Sequence, residues 1–209
     1  MLSDFTMNVE RRLAKTASEC YELRQRIESA QQVGFDTESA GPDLESGKML
    51  NVYRSTLVGC SFAFPDAVTY YMPVQHRHSN DNAPVASIDA VLTALNEPTA
   101  VWAFNWKHDY KALARRAPFP APKGMADSMV LMWLLGMSDS KGRYGLKGLA
   151  EKYFDVETVS FKQVLADYEV QSWDELRPKQ ALKYATDDAW YALQLGLRYM
   201  PLARERKLV

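Results

Sequence analysis

Residues 33–41 (VGFDTESAG) place two carboxylates one residue apart in a stretch that has the composition of a short β-strand. Because side chains alternate along a strand, Phe35 and Thr37 should point to one face and Asp36 and Glu38 to the other. Two like charges this close raise each other's pKa or require a cation between them. An isolated pair of this kind is usually a solvated strand end, so its meaning depends on the rest of the chain.

The composition is that of an ordinary soluble domain. The chain has 209 residues, of which 47% are apolar and 24% charged, and its net charge of −1 provides no overall basic field for nucleic acid. No apolar run is long enough to span a bilayer, and the first residues lack the features of a signal peptide. Cys20 and Cys60 belong to no motif, so we expect reduced thiols in a cytoplasmic protein without membrane contact.

The hydrophobic pattern predicts an α/β fold. Residues 55–64 and 67–72 form a predicted hairpin, and residues 99–104 a buried central strand. We expect a mixed sheet of about five strands flanked by helices, with Gly34 allowing a neighbour to approach the first strand closely. Residues 1–30 are predicted to be an N-terminal helical extension and residues 31–209 the main domain. Helices are predicted over residues 9–30, 85–96, 106–116, 129–135, 146–154, 161–168 and 179–200.

Two further interpretations concern a loop that contains histidines and an aspartate at the start of a helix. The loop over residues 73–84 holds His76 and His78, but no third ligand lies nearby, so we interpret it as a solvated loop and not a metal site. Asp127 precedes an apolar helix, and we interpret it as the helix N-cap.

Two further pairs of polar residues share a helix face. Asn105 and Asp109 lie four apart at the start of the helix after the buried strand, where ligands bind in open α/β sheets. The ordinary alternative for Asp109 is a first-turn aspartate favoured by the helix dipole.

Tyr184 and Asp188 are also four apart, on the apolar C-terminal helix. We therefore expect Asp188 to be partly buried with a metal as its partner, unless a base comes from elsewhere in the chain, and Asp187 to face water.

Taken in order, the patterns Asp-x-Glu, Asn-x-x-x-Asp and Tyr-x-x-x-Asp resemble the DEDD (DnaQ-like) superfamily of 3′–5′ exonucleases, in its tyrosine subclass. Three more segments are similar to the proofreading domain of family A (bacterial polymerase I type) DNA polymerases, and the similarity extends from about residue 32 to 199. Phe104 and Pro42 depart from the usual pattern of these domains. The segments are residues 127–135 (DSMVLMWLL), 148–154 (GLAEKYF) and 158–162 (TVSFK).

The resemblance implies a ribonuclease H-like fold and a site in which Asp36, Glu38, Asp109 and Asp188 converge. All-oxygen ligation suits two Mg²⁺ or Mn²⁺ ions, roughly 3.5–4 Å apart. By the same resemblance, Asp36, Glu38 and Asp188 hold one ion, and Asp36 and Asp109 hold the other. Tyr184 would orient the attacking water.

The resemblance also implies contacts with nucleic acid. Asn105 is expected at the terminal nucleotide, Arg143 at a phosphate and Phe161 stacked on a base. The open alternatives are a simple loop charge for Arg143 and a core position for Phe161. The basic residues at positions 107, 111, 115 and 116 line one helix, either as backbone contacts or as a solvated face. The full set of expected nucleic-acid contacts is Thr37, Ser39, Asn105, Arg143 and Phe161.

These expectations describe a stand-alone metal-dependent 3′–5′ exonuclease that releases nucleoside monophosphates from single-stranded or frayed DNA 3′ ends. Because no polymerase sequence follows Val209, the expected partners are a single-stranded DNA 3′ end and a DNA polymerase that lacks its own editing domain. A 3′–5′ exoribonuclease acting on short RNA stays open as an alternative. So does a non-catalytic module that binds nucleic acid or a polymerase, although loss of an acid would mark it and all four acids are present.

Overall fold

The computed structural model describes residues 8–41, 54–78, 80–114 and 121–209. Pro42 and the basic residues Arg115 and Arg116 lie outside these ranges. The strands are β1 (Glu10–Leu13), β2 (Gln32–Ala40), β3 (Thr56–Ala63), β4 (Val68–Pro73), β5 (Ala100–Ala103) and β6 (Met125–Asp127). The helices are α1 (Ala17–Ser29), α2 (Val85–Ala94), α3 (Trp106–Ala114), α4 (Ser128–Leu134), α5 (Leu146–Phe154), α6 (Phe161–Asp167) and α7 (Pro178–Glu205), with a 3₁₀ turn at Trp173–Glu175.

Within the described ranges, the six strands form one mixed sheet in the order β1-β4-β3-β2-β5-β6. Strands β2, β3 and β4 are joined by antiparallel pairing, whereas β1 joins β4, β5 joins β2 and β6 joins β5 in parallel. The predicted hairpin, central strand and flanking helices are confirmed, with one strand more than expected. No described helix has both the length and the apolar character needed to cross a membrane.

The predicted helix over residues 9–30 is wrong in its first part. Residues 10–13 instead pair with the outer edge of β4, and the Glu10 amide donates to the Ala67 carbonyl at 2.9 Å. A capping box then starts α1 at Ala17: the Thr16 hydroxyl accepts from the Glu19 amide, and the Glu19 carboxylate accepts from the Thr16 amide. Helical spacing alone does not reveal that an unpaired strand edge is available to this segment.

Strand β2 separates two apolar layers. On one face Phe35 stacks on Trp106 of α3, with ring centroids 5.5 Å apart. On the other face α7 packs so closely that a Cβ on Gly34 would lie 2.3 Å from the backbone oxygen of Ala189. The close approach predicted at Gly34 is thus confirmed, and α7 lies against the face that carries Asp36 and Glu38.

The interpretation of His76 as part of a solvated loop is wrong. This side chain is only 2% exposed. Its Nδ1 lies 2.5 Å from the carbonyl oxygen of Leu176, so Nδ1 carries the proton and Nε2 accepts from the Tyr71 hydroxyl at 2.9 Å. The contact ties the loop to the segment just before α7, a partner 100 residues away that local sequence cannot reveal.

Candidate active site

Three carboxylates meet between β2 and α7. One oxygen from each of Asp36, Glu38 and Asp188 lies within 4.8 Å of the other two. Strand alternation aims Asp36 and Glu38 at α7, and the close packing at Gly34 brings the turn of α7 that carries Asp188 against them. Asp188 is 9% exposed, in agreement with the burial expected from its apolar helix.

Asp109 approaches this group from α3, where its charge acts on Asp36, but it is not one of the three acids whose oxygens lie within 4.8 Å of one another. Its Oδ1 accepts hydrogen bonds from the Thr37 amide at 3.0 Å and from the Thr37 hydroxyl at 2.7 Å. Thr37 stands between Asp36 and Glu38 and points to the α3 face, so it fixes Asp109 beside the strand. The Thr37 hydroxyl, expected from the sequence to contact nucleic acid, orients a carboxylate in this structure.

Asp127 caps two helices at once. Its side chain accepts from the amides of Met129 and Val130, which confirms it as the N-cap of α4. It also accepts from the amides of Asn105 and Trp106, at 3.1 and 2.9 Å, where α3 begins. Asn105 adopts a left-handed φ of 69°, which asparagine tolerates better than most residues. Strand β6 thereby holds the helix that supplies Asp109.

Tyr184 is held by aromatic neighbours. Trp173 lies 5.0 Å from its ring centroid, and Phe161 lies 6.5 Å away on α6. Trp173 is fully buried and stacks on Phe161 at 5.3 Å. Phe161 is half-buried, and one face of its ring packs in this cluster, as expected if the residue belongs to the core. Its expected stacking on a base stays a prediction.

Two acids on α7 have basic partners that the sequence analysis missed. Lys147 on α5 donates to Asp188, so a base from elsewhere in the chain does pair with this acid. Asp187 was expected to face water, which is wrong: it is 6% exposed and forms ion pairs with Arg11 of β1 and Lys183, both at 2.6 Å. The pairs of Lys147 with Asp188 and of Arg11 with Asp187 join residues 41 and 176 positions apart, and no local spacing signals them. The pair of Lys183 with Asp187 has the i, i+4 spacing of one helix face, so the sequence did contain its signal.

The crowded carboxylates perturb one another. Burial, followed by the charges of Asp109, Glu38 and Asp188, raises the pKa of Asp36 well above its ordinary value. Burial and the charge of Asp188 raise the pKa of Glu38 in the same direction. Burial also raises the pKa of Asp109 to about 7, although the hydrogen bonds from Thr37 oppose the shift. Such mutual destabilisation of charge is typical of functional sites.

Tyr184 stays protonated in this environment. Its burial, together with the negative charges of Asp188, Glu38 and Asp36, raises the pKa of the phenol far above its ordinary value. A protonated phenol can both donate and accept a hydrogen bond, which suits a residue that orients a water molecule.

The residues fit divalent cations. Among the described residues, the buried Oε1 of Glu38 and Oδ1 of Asn105 have no hydrogen-bond donor. Buried acceptors of this kind are normally satisfied, so a cation or a substrate donor is the natural partner. Carboxylate oxygens in a cluster are the ligands that Mg²⁺ and Mn²⁺ prefer. Asp36, Glu38 and Asp188 are the residues that would hold one ion, with Asp109 beside them.

Two other residues expected to contact nucleic acid, Arg143 and Ser39, are not part of the acidic cluster. Arg143 donates through Nε to the buried Asp139 at 3.2 Å, and its own side chain is 67% exposed. Asp139 also accepts from the amides of Lys141 and Arg143, which fixes the loop before α5. The Ser39 hydroxyl is buried and has no partner among the described residues.

The sequence matches the family model described as 3′–5′ exonuclease over residues 12–198. DNA polymerase I of Borreliella burgdorferi is 24% identical over 203 residues, which cover 97% of this chain but 21% of the polymerase. The chain therefore spans about a fifth of the length of that relative.

Two solved structures illustrate the similarity in fold. NrnC of Brucella melitensis matches with a TM-score of 0.67 at 17% identity, covering 96% of this chain and 84% of that chain. NrnC has also been solved with Mg²⁺ and with pGG. Escherichia coli RNase D, an exoribonuclease involved in structured RNA processing, matches with a TM-score of 0.65 at 16% identity, covering 95% and 46%. These likenesses confirm the expected ribonuclease H-like fold.

Proposed function

The chain belongs to the DEDD superfamily of 3′–5′ exonucleases, and on this premise we propose that it removes nucleoside monophosphates from the 3′ ends of single-stranded or frayed DNA. The observation that carries the proposal is the meeting of Asp36, Glu38 and Asp188, with Asp109 beside them and Tyr184 on the adjoining turn of α7. The retention of all four acids and the tyrosine argues against a module that only binds nucleic acid. We further propose that the protein acts in the cytoplasm.

The family uses divalent metals, and we propose that this site takes two Mg²⁺ or Mn²⁺ ions. Asp36, Glu38 and Asp188 would hold the first, and Asp36 and Asp109 the second. When bound, such ions polarise the scissile phosphate and acidify a water molecule. The chain's own residues hold the reacting groups in place.

Each remaining residue has a proposed role that follows from its surroundings. The Tyr184 hydroxyl, fixed by Trp173 and Phe161, orients the attacking water towards the phosphorus. The unpaired Oδ1 of Asn105 accepts a hydrogen bond from the terminal nucleotide. Thr37 keeps the Asp109 carboxylate turned towards Asp36. The expected contacts of Ser39, Arg143 and Phe161 with the strand remain part of the proposal.

DNA is the favoured substrate because the curated relative that matches nearly the whole chain is a DNA polymerase. A second candidate is an exoribonuclease that acts on short RNA. The likeness to RNase D, and to NrnC solved with pGG, favours this alternative. The four acids serve either substrate, because the scissile group is a phosphodiester in both.

The test compares DNA and RNA strands of equal length and matching sequence, labelled at the 5′ end, in Mg²⁺ and in EDTA. We expect successive shortening from the 3′ end in Mg²⁺ alone, faster on DNA, with mononucleotides as products. Asp188→Asn is the matched inactive control. Faster shortening of RNA would support the exoribonuclease, and absence of cleavage on both strands would refute the proposed function.

Proofreading in trans is the proposed role. A DNA polymerase that lacks its own editing domain is the proposed partner, by analogy with the polymerase relative that contains a similar segment. We expect the protein to remove a mismatched 3′ nucleotide faster than a paired one, because a mismatch frays more readily. Equal rates on the two ends would favour general end trimming.

A further inference from the structure

Lys147 inserts a positive charge into the acidic cluster. It is the second residue of α5, and its side chain is 27% exposed. Its Nζ donates to Oδ1 of Asp188 and lies 4.1 Å from the centroid of the Tyr184 ring, in position for a cation–π contact. One ammonium group thus touches a proposed metal ligand and the proposed water-orienting tyrosine.

The ammonium acts on more than the acid it touches. The charge of Lys147 lowers the pKa values of Asp36, Glu38 and Asp188, against the raising effect of burial. Oxygens of those three acids lie within 4.8 Å of one another, so Lys147 stands at the edge of the space that a cation would occupy. A divalent ion bound to Asp188 and an ammonium at the same carboxylate would repel each other strongly in a buried site.

We infer that Lys147 is an internal counter-ion, which holds Asp188 when the site is free of metal and competes with a divalent cation for that carboxylate. The inference rests on the proposed metal-dependent function. Lys147 is then a positioning residue that sets metal affinity. Its ammonium can leave Asp188 and stay over the Tyr184 ring, because both contacts lie within the reach of one flexible side chain.

If Lys147 has this role, removing its charge should lower the stability of the metal-free protein and raise its affinity for metal. Without the ammonium, the metal-free protein keeps like charges buried together and should become less stable. The same change removes the competitor for Asp188, so metal affinity should rise. A lysine that served only the fold would change stability without tightening metal binding, and one that helped to hold metal would weaken binding when removed.

The test measures both quantities on the full chain. Lys147→Gln removes the charge, Lys147→Arg keeps it, and Lys152→Gln is the matched control on the same helix. Lys152 also lies over a tyrosine ring, at 5.1 Å from the centroid of Tyr153, but donates to the Ser138 carbonyl and touches no acid of the cluster. Mn²⁺ alone is titrated and followed by its electron paramagnetic resonance signal, and thermal unfolding is recorded in EDTA.

We expect Lys147→Gln to bind Mn²⁺ about tenfold more tightly, the change that about 1.4 kcal/mol produces. We expect its Tm in EDTA to fall by about 5 °C. Lys147→Arg and Lys152→Gln should stay close to the wild type in both measurements. Unchanged or weaker Mn²⁺ binding by Lys147→Gln, beside normal binding by the wild type, would overturn the inference alone. Absence of Mn²⁺ binding by the wild type would overturn the proposed metal centre together with the inference.

Discussion

Replacing Gly34 by alanine should damage catalysis through a single added methyl group. The new Cβ would lie 2.3 Å from the backbone oxygen of Ala189 and 2.7 Å from Cβ of Leu193. Ordinary contact begins near 3.4 Å, so α7 must retreat from β2 by about 1 Å. Ala189 directly follows Asp188, so the displacement acts on the acid that must meet Asp36. A misplacement of this size typically slows an enzyme about 100-fold.

The added methyl group should also lower the stability of the fold. Overpacking of this kind destabilises a protein by about 1–3 kcal/mol, which lowers Tm by about 2–12 °C for a chain of this length. The assay is Mg²⁺-dependent release of mononucleotides from single-stranded DNA, combined with thermal unfolding. Gly145→Ser is the matched control, since a Cβ there meets nothing within 4 Å and serine suits a helix N-cap. If Gly34→Ala kept the wild-type rate, the close packing of α7 on β2 would not set the site geometry.

Three further predictions concern the acids and the tyrosine. Asp36→Asn should abolish mononucleotide release, because Asp36 is a proposed ligand of both ions. It should also raise the Tm in EDTA, because it removes one of the crowded carboxylates that raise each other's pKa values. A lower Tm would contradict this repulsion. Tyr184→Phe should lower kcat by about tenfold or more with little change in KM, as single-turnover kinetics on DNA would establish; an unchanged kcat would exclude the tyrosine from orienting water. The pKa of Asp109 lies at about 7, above its ordinary value, so its stabilising contribution is present at low pH and lost as the pH rises to about 7. The free energy of unfolding in EDTA should therefore fall less steeply between pH 5 and 7 in Asp109→Asn than in the wild type, and equal slopes would contradict the raised pKa.

The parts of the site that the sequence predicted well are those fixed by local geometry. Strand alternation was enough to put Asp36 and Glu38 on one face, and helical spacing placed Tyr184 and Asp188 on one side of α7. The N-cap role of Asp127 followed from its position before an apolar helix, since capping needs only the next few amides. In each case the relevant partner lies within a few residues along the chain.

The parts that it missed depend on partners far away in sequence. Lys147 reaches Asp188 only after α5 and α7 have packed, and Arg11 meets Asp187 only after β1 has joined the edge of the sheet. The burial of His76 similarly depends on the distant carbonyl of Leu176. A periodic pattern shows which face of an element is apolar, but not which other element will cover that face. It therefore predicts the burial of charged residues poorly.

These long-range contacts also explain how a crowded acidic site can exist in a stable fold. The two neighbouring acids of α7 have different partners: Asp187 pairs with two cations, Arg11 and Lys183, whereas Asp188 pairs with one, Lys147, in the part of the chain that the structure describes. A buried acid that must bind metal needs a partner that can leave, and a buried acid that only supports the helix does not. The division of cations between the two acids therefore separates the carboxylate that secures α7 from the one that is available for chemistry.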